Sequence, residues 1–128
     1  MNCLLDTHTF LWAITGDSRL SKRAREEFES PSNKLYLSVV SLWEIAIKVA
    51  LGKLPLPSDT EAFLKKHLAM NSIEVLPVLA AHAFRILTLD AHHRDPFDRM
   101  LVAQSMVEGW PVVTGDEAIR RYGIEIIW

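Results

Sequence analysis

The chain has 128 residues, 49% of them hydrophobic, and a formal net charge of −2, which predicts one packed domain over residues 1–128 and excludes a disordered chain or a strongly basic nucleic-acid binder. The N-terminus lacks a signal-peptide pattern and no apolar run approaches the roughly 18 residues of a membrane helix, so we expect a cytoplasmic protein that does not enter a membrane. The single cysteine, Cys3, excludes an internal disulfide and a cysteine-rich zinc site.

Strand and helix patterns alternate along the first half of the chain. Short apolar runs between polar residues predict buried strands, and apolar residues at intervals of three and four predict helices. Gly16 and Gly52 mark helix ends. The predicted elements are a strand at 2–6, helices at 7–15 and 21–30, a strand at 34–39 and a helix at 41–51.

The second half continues the alternation. Pro96 suits the first turn of a helix and Gly109 its end. Alternating elements of this kind indicate an α/β fold, which we expect to be a three-layer α/β/α sandwich with a mainly parallel sheet. The predicted elements are a helix at 60–70, a strand at 73–76, a helix at 80–87, a loop at 90–94, a helix at 95–108, a strand at 110–113, a helix at 117–122 and a strand at 124–127.

Four acidic residues lie where the chain is predicted to pass from strand to helix: Asp6, Glu44, Asp98 and Asp116. The carboxyl ends of parallel strands meet at one edge of a sheet, and ligands of open α/β sheets bind beyond that edge. Carboxylates gathered there repel each other, and a divalent cation such as Mg²⁺ or Mn²⁺ relieves the repulsion with the oxygen ligands it prefers. The pattern therefore predicts a metal site.

Helix capping explains each acid equally well when it is taken alone. Asp6, Asp95 and Asp116 each precede a predicted helix, and an acid in the first turn interacts favourably with the helix dipole, as Asp98 would. Ser41 and Glu44 form the S-x-x-E pattern of a capping box. A non-catalytic binding module whose acids only cap helices therefore stays an alternative.

Polar and aromatic residues near the acids add candidates for substrate contact. Thr7, Ser41 and Thr114 have hydroxyls for a carboxylate, a metal-bound water or a phosphate, while Lys48 shares a helix face with Glu44 and favours an i,i+4 ion pair. The chain has no H-E-x-x-H pattern, so its histidines, among them His8, His92 and His93, do not indicate a zinc site. Four tryptophans could stack on bases, although their apolar surroundings favour packing: Trp12, Trp43, Trp110 and Trp128.

Four ordered segments carry a family resemblance: residues 4–8 (LLDTH), 38–48 (SVVSLWEIAIK), 95–104 (DPFDRMLVAQ) and 114–116 (TGD). In order and spacing the chain resembles the PIN-domain ribonucleases, especially the VapC-type toxins of toxin–antitoxin systems. The resemblance implies a Mg²⁺-dependent endoribonuclease with an acidic site at Asp6, Glu44, Asp98 and Asp116, and it prefers Asp98 to Asp95 as a ligand. Metal contacts are expected from Asp6, Asp98 and Asp116, with Mn²⁺ as a possible substitute. Substrate contacts are expected from Thr7, Lys48, Arg99 and Thr114.

The resemblance also implies partners: an RNA substrate, a protein antitoxin that inserts a segment near the acidic cleft, and a second copy of the chain in a homodimer. Apolar residues at 10–12 and 43–47 exceed what a small core needs, so some are predicted to lie at an interface. The competing enzyme class is a metal-dependent phosphoesterase. The haloacid-dehalogenase type begins with D-x-D, whereas Asp6-Thr7-His8 lacks the second acid.

Overall fold

The computed structural model describes residues 1–92 and 94–128 and folds them into alternating strands and helices. Within these residues there are five strands, in the order β3-β2-β1-β4-β5, and every neighbouring pair is parallel. The elements in chain order are β1 (Asn2–Leu5), α1 (Thr7–Thr15), α2 (Lys22–Glu29), β2 (Lys34–Ser38), α3 (Val39–Ala50), α4 (Thr60–Met70), β3 (Ile73–Leu76), α5 (Ala80–Ile86), α6 (Pro96–Glu108), β4 (Val112–Val113), α7 (Glu117–Arg120) and β5 (Ile126–Ile127).

Alternating side chains of the strands feed two cores, one on each face of the sheet. Cys3 and Leu5 of β1 belong to the larger cluster with the apolar faces of α1 to α4, whereas Leu4 packs in a second cluster with Leu101 of α6. Val102 of α6 continues the second layer toward α7. The predicted α/β/α sandwich is therefore confirmed, and its sheet is parallel at every pairing described.

The larger core shows which of the apolar residues predicted at an interface are already buried within the chain. Phe10 and Leu11 of α1 are only 0% and 7% exposed, because they pack inside this core and have no surface left for a partner. Trp12 is half-buried, whereas Trp43 on α3 is 62% exposed. Of the apolar residues predicted at an interface, Trp43 keeps the largest free surface.

The start of α3 differs from the prediction. The strand before it ends at Ser38, whose hydroxyl accepts a hydrogen bond from the Val40 N–H at 3.1 Å and caps the helix. Ser41 therefore lies inside α3, and the predicted capping box of Ser41 with Glu44 is wrong. The physical reason is that a capping serine needs an extended backbone, which Ser38 has, whereas Ser41 is already helical.

The last two strands are shorter than predicted. Residue Trp110 is bonded to the end of α6 instead: its N–H donates to the Ser105 carbonyl at 3.2 Å and its carbonyl accepts from the Ser105 hydroxyl at 2.6 Å. β4 thus begins at Val112 and pairs with β5 only over Val112–Val113 and Ile126–Ile127.

The strand order places the predicted acids. β1 is central, with β2 on one side and β4 on the other, so the carboxyl ends of these three strands are adjacent. α1, α3 and α7 begin at or just beyond those ends. No helix within residues 1–92 and 94–128 combines the length and apolar character needed to cross a bilayer. His93 lies outside the described residues.

Candidate active site

Asp6 is the innermost acid of the site. It follows β1 and caps α1, and its buried carboxylate accepts a hydrogen bond from the Thr9 N–H at 2.7 Å and another from the Thr114 hydroxyl of the neighbouring strand end. Burial raises the pKa of Asp6, while the hydrogen bonds from Thr114 and Thr9 act in the opposite direction. The two donors hold this carboxylate in one position.

Glu44 lies in the middle of α3 and is also buried. Its Oε1 accepts a hydrogen bond from the Thr7 hydroxyl at 2.7 Å, and its Oε2 is 2.7 Å from the Lys48 ammonium. The Thr7 hydroxyl also lies 2.9 Å from Ser41 Oγ. The predicted i,i+4 ion pair of Lys48 with Glu44 is confirmed. Both oxygens of this carboxylate are engaged by side chains from two helices.

Asp98 occupies the first turn of α6 and is surrounded by other acids. Burial together with the negative charges of four neighbours raises its pKa to about 7. Those neighbours, from the largest effect to the smallest, are Asp95, Asp116, Glu44 and Asp6. The fold thus brings all four predicted site acids, and Asp95 with them, into one electrostatic neighbourhood.

Asp116 stands at the exposed rim. Its carboxylate caps α7 by accepting from the Ala118 N–H at 2.8 Å, and its own N–H donates to the Thr114 hydroxyl oxygen at 3.0 Å. Thr114 therefore connects Asp116 to Asp6. In the structure its hydroxyl positions the Asp6 carboxylate and the backbone of Asp116, and substrate contact by Thr114 stays a prediction.

Several of these acids cap helices and also lie close to the other acids. Asp6 and Asp116 cap α1 and α7, and Asp95 caps α6 by accepting from the N–H groups of Phe97 and Asp98 at 2.9 and 3.2 Å. Glu44, in contrast, is several residues inside its helix and caps nothing. Capping alone therefore does not explain why a buried glutamate faces the other acids.

The donor set suits a hard divalent cation. Carboxylate oxygens are the ligands that Mg²⁺ prefers, and a cation would relieve the repulsion that raises the pKa of Asp98. Among the described side chains, no three of His, Cys, Asp and Glu stand in an arrangement that would ligate one ion directly. Mg²⁺ commonly keeps several waters and takes only one or two carboxylates, so these acids fit an ion held partly through water.

Lys48 and Arg99, the basic residues predicted to contact the substrate, lie in different surroundings. Lys48 pairs with Glu44, yet its side chain is still 37% exposed at the cleft. Arg99, next to Asp98, donates from one guanidinium nitrogen to the Asp90 carbonyl at 2.9 Å and to the Tyr122 hydroxyl at 3.0 Å. These bonds tie α6 to the segments before and after it, and phosphate contact by either residue stays a prediction.

Sequence reasoning favoured packing for Trp128 and did not place it beside the acids. Its indole lies so close to Gly115 that a Cβ at that position would be 2.5 Å from the ring, which explains why glycine precedes Asp116. Trp128 and Trp12 form one wall of a cavity of about 520 Å³ that also reaches Asp6 and Asp116. The only signal in the sequence was an aromatic residue that follows the last apolar run.

Comparisons with known proteins agree on the family. The model described as PIN domain matches residues 3–125. Ribonuclease VapC22 from Mycobacterium tuberculosis (strain ATCC 25618 / H37Rv) is 26% identical over 120 residues, which cover 93% of this chain and 90% of that protein.

Solved structures share the fold. VapBC2 from Rickettsia felis, solved with a DNA fragment from their promoter, contains a chain with a TM-score of 0.73 at 16% identity, covering 98% of this chain and 97% of that one. A chain of FitAcB from Neisseria gonorrhoeae has a TM-score of 0.61 at 17% identity, covering 97% of this chain and 95% of that one. A chain of VapBC-5 from Mycobacterium tuberculosis has a TM-score of 0.62 at 22% identity, covering 98% of this chain and 97% of that one. The predicted resemblance is confirmed, and this chain belongs to the PIN-domain family.

Proposed function

We propose that this chain is a divalent-metal-dependent endoribonuclease and the toxin of a toxin–antitoxin pair. The observation that carries the proposal is the set of carboxylates around Asp98, whose burial and charge raise the pKa of this group to about 7. Family membership supports it, as does the ribonuclease name of a relative that matches 93% of the chain.

Three acids are proposed to hold the metal: Asp6 and Asp98 in the most direct contact and Asp116 at the rim. Mg²⁺ is the expected ion and Mn²⁺ a substitute. When bound, such an ion lowers the pKa of its water, orients the phosphate and screens developing negative charge. Asp6 is held by Thr9 and Thr114, so the first of these acids needs little reordering to receive the ion.

Glu44 is proposed to act through water. Its two oxygens already accept from Thr7 and Lys48, which leaves it suited to orient an attacking water by a further hydrogen bond. Attack by water on the phosphodiester leaves a 5′-phosphate and a 3′-hydroxyl. Lys48 and Arg99 are proposed to contact phosphate oxygens, and Thr7 and Thr114 to support the substrate through the carboxylates that they position.

The test is cleavage-site mapping of total RNA with purified wild-type protein and the Asp98→Asn variant. We expect Mg²⁺-dependent cuts with 5′-phosphate ends that EDTA abolishes and that the variant does not make. p-Nitrophenyl phosphate serves as the control substrate for a general phosphoesterase. Cuts that persist in Asp98→Asn, or hydrolysis of the control substrate without RNA cleavage, would contradict the proposal.

The proposed partners are a protein antitoxin and a second copy of the chain. The VapBC structures with the same fold come from toxin–antitoxin systems, as described for VapBC-5 from Mycobacterium tuberculosis. The apolar side chains of Leu79 and Leu87, which flank α5, are 50% and 82% exposed and offer a surface for the second copy. Light scattering should give a dimer for the wild type and a monomer for Leu87→Glu. A monomeric wild type would exclude the homodimer.

A further inference from the structure

An aromatic cleft continues from the acids along α1. The same cavity of about 520 Å³ that is lined by Asp6 and Asp116 is lined on its other side by His8, Trp12, Arg19 and Trp128. This volume lies within the range of small-ligand sites, about 300–1,000 Å³. A molecule bound at the acids therefore meets ring surfaces directly beside them.

The aromatic rings of this cleft lie next to one another and are tilted against each other. The ring centroids of Trp12 and Trp128 are 6.1 Å apart and tilted by 56°, and those of Trp12 and His8 are 5.7 Å apart and tilted by 37°. The Arg19 guanidinium lies over the Trp12 ring at 4.9 Å from its centroid. Gly115 has no side chain, which lets Trp128 approach the backbone next to Asp116.

The charges in the cleft favour a neutral occupant over a phosphate. Arg19 is paired with Asp17, its Nη2 lying 2.7 Å from Oδ2 and its Nε 3.0 Å from Oδ1. This pair lowers the pKa of Asp17 to about 2, so the carboxylate stays charged and offsets the guanidinium. Half-buried aromatic rings without net positive charge suit a nucleobase, because every base has a π-face that stacks on such rings.

We infer that this cleft, formed by Trp12 and Trp128 with His8 and Arg19, binds the base of a nucleotide next to the scissile phosphate in single-stranded RNA. The inference rests on the proposed ribonuclease function and adds a base-binding subsite beside its acids. In a duplex the faces of a base are covered by its neighbours, so paired RNA does not present the surface that this wall recognises.

The first experiment measures the affinity for a single-stranded RNA oligonucleotide in an Asp98→Asn background, which blocks cleavage. Trp128→Leu and Trp12→Leu should each weaken binding about tenfold, the loss typical of one stacked base. Trp128→Phe keeps a ring and should bind nearly as the parent does. The matched control is Trp110→Leu, which removes a half-buried tryptophan stacked on Tyr36 at the other end of β4 and should leave the affinity unchanged.

Thermal melts of the four variants separate lost binding from lost folding. If Trp128→Leu does not fold, the comparison of Trp12→Leu with the parent and with Trp110→Leu still decides the question. Equal affinity of the parent and the folded Trp12→Leu and Trp128→Leu variants for single-stranded RNA would overturn the inference.

A second experiment locates the bound base. Oligonucleotides with one abasic position each are tested against the parent and Trp128→Leu. One position beside the cleavage site should weaken binding about tenfold in the parent and have little further effect in Trp128→Leu, since both changes remove the same contact. Additive effects at every position would overturn the inference. A wild type that cuts no RNA contradicts the proposed function itself, whereas cleavage with the same KM in all tryptophan variants contradicts only the base site.

Discussion

The acidic cleft has two sides whose carboxylates lie in different surroundings. We call them the α3 wall, which carries Glu44 and Lys48, and the α6 wall, which carries Asp98. On the α3 wall, Glu44 is buried but has Thr7 at one oxygen and Lys48 at the other, each at 2.7 Å. On the α6 wall, Asp98 lies among Asp95, Asp116, Glu44 and Asp6, and its pKa is raised to about 7. On the α3 wall the carboxylate is paired with a lysine of its own helix, whereas on the α6 wall burial and neighbouring acids disfavour the charged form of Asp98.

The difference assigns the two walls different tasks. A carboxylate that is already paired is rigid and suited to positioning a water or another side chain. A carboxylate whose charge is disfavoured by burial and by other acids gains most from a cation. We therefore expect changes on the α6 wall to act on metal binding and changes on the α3 wall to act on stability and positioning.

The largest effect should come from Asp98→Asn. Loss of this carboxylate removes a proposed metal ligand, and we expect RNA cleavage to fall by about 10³-fold. The matched control is Asp95→Asn, since asparagine caps a helix as well as aspartate does and the Asp95 carboxylate already serves α6. A loss in Asp95→Asn as large as in Asp98→Asn would contradict the assignment of the ligand.

The ion pair on the α3 wall should be worth more than an exposed pair of the same spacing. A double-mutant cycle of Glu44→Gln and Lys48→Met should give a coupling of about 2 kcal/mol, because removing Lys48 leaves the buried Glu44 carboxylate without its counter-charge. The matched control is Glu61 with Lys65 on α4, where both side chains are largely exposed. Urea denaturation should give that pair less than about 0.5 kcal/mol, and equal couplings would contradict the comparison.

The stability of the metal-free protein should depend on pH through Asp98. Because its pKa is raised to about 7 on folding, the folded state binds the proton more tightly than the unfolded state does. The stability gained in this way is complete below pH ~4, the ordinary pKa of aspartate, and is lost as the pH rises through about 7.

Asp98→Asn should therefore make the metal-free protein more stable at pH 8 by ~1–2 kcal/mol, an effect that screening at this partly exposed group keeps below the full linkage value. The gain should vanish near pH 4, where both side chains are neutral. Added Mg²⁺ should raise the melting temperature of the wild type at pH 8 and leave the variant nearly unchanged. A variant that is less stable than the wild type at pH 8 would contradict the expectation that folding disfavours the charged form of Asp98 in the metal-free protein.

The smallest effect concerns the start of the α3 wall. Ser38→Ala removes the cap of α3 and should cost about 1 kcal/mol of folding free energy, as should Ser21→Ala at the start of α2. Only Ser38→Ala should also reduce RNA cleavage, since α3 carries Glu44 and Lys48 whereas α2 carries no site residue. Equal activity of the two variants would mean that the position of the α3 wall is set by its packing and not by its cap.

Much of the fold could be predicted because its signals are local. The apolar runs of β1 and β2 and the Pro96 and Gly109 limits of α6 are predicted by residues within those elements. The errors lie where two local signals compete. Ser38 and Ser41 are both good caps, and only the backbone conformation at Ser38 decides between them. Trp110 begins the predicted fourth strand, but its hydrogen bond from Ser105 holds it at the end of α6.

The sequence by itself determined which acidic residues form the candidate site. Acids after strands and the ordered family segments led to Asp6, Glu44, Asp98 and Asp116, because a parallel sheet gathers the ends of its strands at one edge. The tertiary structure decided how each acid is used. How each carboxylate is held, which one lies among other acids and which ring lies beside them depend on contacts between distant segments, such as Thr7 with Glu44 and Trp128 over Gly115. Spacing along a chain cannot report those contacts, since they are set by how the layers pack.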